Sequence, residues 1–140
     1  MSVDSLFGTT IQVLSKGIDL RAKNQNLISS NIANAETPNY VPKALSFESE
    51  LQGALKSGAK GARTPAHSRH IPLKTAASSI QAVTGRIVET PAKTPGKDGN
   101  AVELENEMSK MAENQIMYNA SVQLLSQKFN GLRNALKESK

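Results

Sequence analysis

The sequence predicts a mainly α-helical protein, with long N- and C-terminal helices forming a coiled-coil-like inner domain and a loop-rich middle with room for a short β-hairpin. Three observations predict it. The first third carries a broad apolar stripe that two prolines end. The middle has no sustained period. The last third carries an apolar heptad seam.

The N-terminal helix is expected from about Asp4 to Asn34. Phe7, Ile11, Leu14, Ile18, Ile28 and Ile32 follow one seam with steps of four and three. Leu6, Val13, Leu20 and Leu27 follow the seam one residue earlier, where Asn24 and Asn31 interrupt it. Gly8 and Gly17 each cost about 1 kcal/mol relative to alanine. This helix should therefore be the weaker of the two. Pro38 and Pro42 end it, because proline disfavours helical geometry in the residue before it.

Residues 51–97 hold eight Lys/Arg against one Asp/Glu, so they carry all of the excess positive charge of a chain whose net charge is +5. The runs Ser57–Pro65 and Glu89–Lys97 are small, basic and rich in breakers, which favours solvated loops. Between them, Ile80 to Val88 can form a hairpin around Thr84-Gly85.

In the last third the seam runs Leu104, Met108, Met111, Gln115, Tyr118, Val122, Leu125, Phe129, Leu132, Leu136. Nine of these ten positions are apolar or aromatic, the signature of a coiled coil. Asn100 and Glu103 have capping-box spacing. Glu103, Glu105 and Glu107 crowd the start and Lys128, Arg133 and Lys137 the end, which complements the helix dipole. Such a helix is about 50 Å long.

The expected organisation is thus residues 1–50, residues 51–97 and residues 98–140, with the last packing on the first. With 38% apolar residues, three Phe, two Tyr and no Trp, a dense core is not expected. Apolar seams exposed by a chain with so little core favour a subunit that gains order on assembly.

The segment from Asn31 to Tyr40 is more specific than the helices. Asn31, Ile32, Ala33, Asn34, Thr37, Pro38, Asn39 and Tyr40 place Asn-apolar-Ala-Asn at a helix end, followed by a turn and an aromatic. This resembles the signature shared by flagellar rod and hook proteins. The short chain and its C-terminal helix are most similar to the proximal members of the rod family. The resemblance covers about the first 50 and last 43 residues.

It implies a structural subunit of the basal body rod that assembles helically, transmits torque and lines an export channel. It implies contacts with other copies, other rod proteins, a membrane-ring adaptor and the flagellar type III export gate. It also implies a periplasmic position in the rod, reached without a cleaved signal peptide. No basic region followed by an apolar stretch is visible at Met1–Leu6, in keeping with that expectation. Phe47 and Leu51 match the Phe-x-x-x-apolar element by which early substrates are read at the export gate; their plainer reading is an i,i+4 pair on a short helix.

No enzyme motif is present. His67 and His70 lie between Pro65 and Pro72, and two histidines without cysteine do not make a zinc site. There is no nucleophile elbow, phosphate loop or dinucleotide fingerprint. Neither a cofactor nor a small-molecule substrate is expected. A basic nucleic-acid-binding protein is the competing class, but aromatic platforms for bases are lacking, so nucleic acid is not expected either.

Overall fold

A computed structural model describes residues 8–59, 80–92 and 96–138 of the chain. It is mainly helical. Helix α1 spans Thr9–Ala33, strand β1 Lys43–Ser46, helix α2 Glu48–Ala59, strand β2 Arg86–Glu89 and helix α3 Leu104–Glu138. A single 3₁₀ turn, Ile80–Ala82, precedes β2. The N-terminal start of the expected first helix, with Leu6 and Phe7, and the His67/His70 pair lie outside the described residues.

Helices α1 and α3 pack as an antiparallel hairpin. Asn31 near the end of α1 meets Glu107 near the start of α3, and Arg21 meets Asn114 one stage further along. With 35 residues, α3 is about 52 Å long, and α1 with 25 residues about 37 Å. The two faces of α1 do different work. The Arg21 carbonyl and Gln25 meet Asn114 of α3, and Asn31 meets Glu107. Leu20 and Leu27, with Asn24 and Asn31, lie towards β1 and α2.

That second face roofs a small core. Leu20, Leu45, Phe47, Ala54, Ile80 and Val83 are buried together, with Val13, Leu27, Leu51 and Leu55 packed around them. The Arg21 guanidinium stands 5.6 Å from the centre of the Phe47 ring, within cation–π range. Gly85 closes this core from below. Its φ is +69°, and a Cβ there would sit 3.0 Å from the Leu45 side chain, so both conformation and space call for glycine.

The small sheet is antiparallel, but its strands come from distant segments: Lys43 pairs with Glu89, Leu45 with Ile87 and Ser46 with Arg86. A local hairpin within Ile80–Val88 does not form. Ile80 and Val83 are drawn into the core instead, which leaves only Arg86–Glu89 extended and brings it alongside β1. Helix α2 shows no long periodicity because it is short and contains Gly53; the spacing of Leu51, Ala54 and Leu55 is its one apolar stripe.

The start of α3 also differs from expectation. The helix begins at Leu104, and the Asn100 side chain does not cap it. Asn100 is buried and faces the turn after α1. Its amide nitrogen lies 3.1, 2.9 and 2.7 Å from the carbonyl oxygens of Asn34, Ala35 and Thr37.

The core rests on Phe47 more than on any other side chain. Truncating a buried Phe costs about 3–5 kcal/mol. Phe47→Ala should therefore shift the urea midpoint strongly downwards in a denaturation series followed by circular dichroism. An unchanged midpoint contradicts this packing.

Candidate functional site

The turn that follows α1 brings the signature residues together around one side chain. Asn31 is buried on the last turns of α1. Its amide nitrogen donates to the Lys43 carbonyl at 2.8 Å and to Glu107 Oε2 at 2.7 Å. Its oxygen accepts from the Lys43 N–H at 2.9 Å and from the Tyr40 hydroxyl at 3.2 Å. A primary amide offers two donors and two lone pairs, so every capacity of Asn31 is used. It engages β1 as another strand would and ties α3 to the same point.

Asn24 repeats the device two turns earlier, where its oxygen accepts from the Leu45 N–H at 3.1 Å. The two asparagines that interrupt the apolar seam are thus the groups that dock the strand. Glu107 completes the junction. It is buried, and its second oxygen lies 2.6 Å from Lys110 Nζ.

The remaining signature residues shape the turn. The helix ends at Asn34, whose side chain donates to the Ser30 carbonyl at 2.8 Å and accepts from the Thr37 hydroxyl at 3.1 Å. Left-handed geometry falls at Asn39, with φ +58°, rather than at the helix end. Asparagine tolerates it better than most residues. The Asn39 N–H donates to the Asp98 carbonyl and the Ala101 N–H to the Tyr40 carbonyl, so the approach to α3 is stitched to the turn. Gly99, at φ +76°, passes so close to Asn39 that any Cβ would collide with its side chain. Tyr40 is half-buried, and Pro38 is exposed on the turn. Ile32 is half-buried and Ala33 exposed.

Phe47 and Leu51 sit elsewhere. Phe47 is in the core and Leu51 at its edge, with the Leu51 N–H donating to the Phe47 carbonyl at 2.9 Å. The Phe-x-x-x-apolar spacing is here a helix-entry contact of the folded chain.

The α3 seam divides. Met111, Tyr118, Leu125 and Leu132 are half-buried, and on one side of them Glu107, Asn114 and Ser121 turn inwards. Leu104, Met108, Val122, Phe129 and Leu136 are exposed. At the open end of the hairpin, Thr10, Leu14, Leu124 and Leu132 help to line an apolar cavity of about 540 Å³. Sequence reasoning missed the roles of Glu107, Asn100 and Asn114, all buried polar groups. Glu107 and Asn114 are polar positions seven apart on the inward column of α3, a spacing that could have marked them.

Removing the Asn31 amide strands the Lys43 backbone groups and leaves Glu107 Oε2 without its donor. Unpaired buried groups cost about 1–3 kcal/mol each, so Asn31→Ala should lower stability by about 2–4 kcal/mol. Asn31→Asp should be worse at neutral pH, because two carboxylates then face each other. It should recover partly in acid, where one of them is protonated. Thermal melts at several pH values check both, and an Asp variant as stable as wild type at neutral pH contradicts the assignment.

Residues 11–40 match the family model described as flagella basal body rod protein. The flagellar basal body rod protein FlgB of Escherichia coli (strain K12) is 31% identical over 86% of this chain and 88% of its own length. The protein of the same description from Bacillus subtilis (strain 168) is 33% identical over 94% of this chain and 96% of its own. One from Cereibacter sphaeroides is 35% identical over the same shares. The chain therefore belongs to the flagellar basal body rod protein family, as a structural rod subunit of the FlgB kind.

Proposed function

We propose that this protein is a repeated subunit of the proximal rod, assembling helically with other copies and other rod proteins to transmit torque and enclose an export channel. Residues 1–50 and 98–140 supply the inner, channel-lining domain, and residues 51–97 a variable basic segment. The subunit stands in the periplasm beside a membrane-ring adaptor. It is carried there by the flagellar type III apparatus with no peptide cleaved.

One observation carries the reading. After α1 has packed, α3 still exposes Met108, Val122, Phe129 and Leu136 along its length. Burying such side chains stabilises by about 1.5–3 kcal/mol each, a gain the single chain forgoes and neighbours in a tube supply. Phe129→Asp should leave export and the helical content of the free subunit unchanged while abolishing rod incorporation and swimming. Normal swimming contradicts the proposal. Leu125 is less suitable for this test because it is half-buried on the column central to the hairpin.

Phe47 and Leu51 serve as the export-gate element in this reading. Phe47 is only 2% exposed in the folded chain, so the gate reads it before folding. Val83 fills the same core and is equally inaccessible. Phe47→Ala should lower the secreted amount severalfold, whereas Val83→Ala, which loosens the same core, should not. The measurement is secreted against cellular protein in cells blocked after rod-subunit export. Equal export of Phe47→Ala and wild type returns Phe47 to a packing role alone.

A further inference from the structure

On a helix that pairs with others, residues seven apart share a column. The central column of α3 is Met111, Tyr118, Leu125 and Leu132, and α1 covers it from the side of Glu107, Asn114 and Ser121. On the opposite flank lies the column Met108, Gln115, Val122, Phe129, Leu136. Its four apolar members are 58%, 40%, 45% and 69% exposed, in chain order. Beside it runs an exposed column of small or polar residues, Ala112, Asn119 and Ser126, with Glu105 at one end and Arg133 at the other. Lys137 is exposed next to Arg133. This face is therefore an apolar ribbon, open to close approach, acidic at its start and basic at its end. Glu113, Lys128 and Lys110 lie on other sides of the helix.

We propose that in the free subunit this face pairs with the same face of a second copy, antiparallel about a two-fold axis at Val122. The register follows from the ribbon. Met108 comes opposite Leu136 of the other copy, Gln115 opposite Phe129, and Val122 opposite itself. The charges follow from the same register. Glu105 of each copy lies within about 3 Å along the axis of the level of Lys137 of the other, with Arg133 about 9 Å from that level, so the complementary contact between Glu105 and Lys137 is made twice. A parallel pair in register sets Glu105 against Glu105 and Arg133 against Arg133. A parallel pair slid far enough to match the charges leaves the middle of the ribbon uncovered. Self-complementary contacts of this kind close at two copies. The pairing concerns the subunit in solution, and it stands whether or not the same face later meets rod neighbours.

The chain contains no cysteine, so introduced thiols report contacts cleanly. Two positions four heptads apart on one straight helix cannot reach each other within a chain. The test is mild oxidation of Met108→Cys, Leu136→Cys and the double variant, at concentrations where light scattering finds more than monomer. Antiparallel pairing gives a closed disulfide-linked dimer from the double variant and no cross-link from either single variant. A ladder of higher oligomers from the double variant shows head-to-tail contact and overturns the proposal. Efficient self-cross-linking of Met108→Cys shows parallel pairing and also overturns it. So does a fully helical protein that stays monomeric at every concentration. The charge arm is independent of thiols. Glu105→Arg should weaken the dimer about three- to tenfold at low salt, and adding Lys137→Glu in the same chain should restore it. No loss, or no recovery, contradicts the assigned ends.

Discussion

The buried amide of Asn31 is the constraint on which the rest of the structure depends. It joins three elements that have little else in common at that point: the end of α1, the backbone of β1 and the start of α3. Only a side chain with both donors and acceptors can do this. An aspartate there would have no donor for Glu107 or for the Lys43 carbonyl, and a leucine would offer neither donor nor acceptor, leaving Glu107 with Lys110 alone. Because every one of its hydrogen bonds is made, the polar group is tolerated in the interior, where a half-satisfied network would be worse than none.

The same principle governs the α1–α3 interface. Its most buried members on α3 are Glu107 and Asn114, and Asn114 donates to the Arg21 carbonyl at 3.0 Å and to Gln25 Oε1 at 2.8 Å. Polar groups at seam positions fix register at some cost in stability. The oxygen of Asn114 is an instance of that cost, since it has no hydrogen-bond partner among the described residues. The apolar contribution is concentrated instead in the compact cluster around Phe47 and Val83, away from the hairpin seam. The hairpin is thus aligned by hydrogen bonds, and the apolar side of its longer helix is left for other molecules. That division suits a subunit of a larger assembly, which needs a defined shape before it needs great stability.

The helices were legible in the sequence because their periodicity is local. Leu104 to Leu136 and Ile11 to Ile32 announce themselves within a few turns. What the heptad seam does not show is which flank the chain's own partner occupies. Met111 and Leu125 turned inwards, while Met108 and Phe129, equally good seam residues, stayed in solvent. The signature from Asn31 to Tyr40 was visible as a pattern, yet the hydrogen bond to Glu107 spans 76 residues and leaves no local trace. Asn24 and Asn31 read as weaknesses of a helix when they are its docking points for a strand. Asn100 has the spacing of a helix cap, but its oxygen accepts from the Val102 N–H, ahead of the helix, while its nitrogen is held by three carbonyls of the preceding turn. The pairing of Lys43–Ser46 with Arg86–Glu89 was hidden for the same reason: distance along the chain.

A double-mutant cycle between Asn31→Ala and Glu107→Ala, measured by urea denaturation, tests the central claim most directly. If Asn31 is the junction of α1 and α3, the two substitutions are strongly non-additive, with a coupling of about 1–3 kcal/mol. Effects that simply add, to within about 0.3–0.5 kcal/mol, would show that the two side chains do not support each other and that the hairpin is aligned by something else.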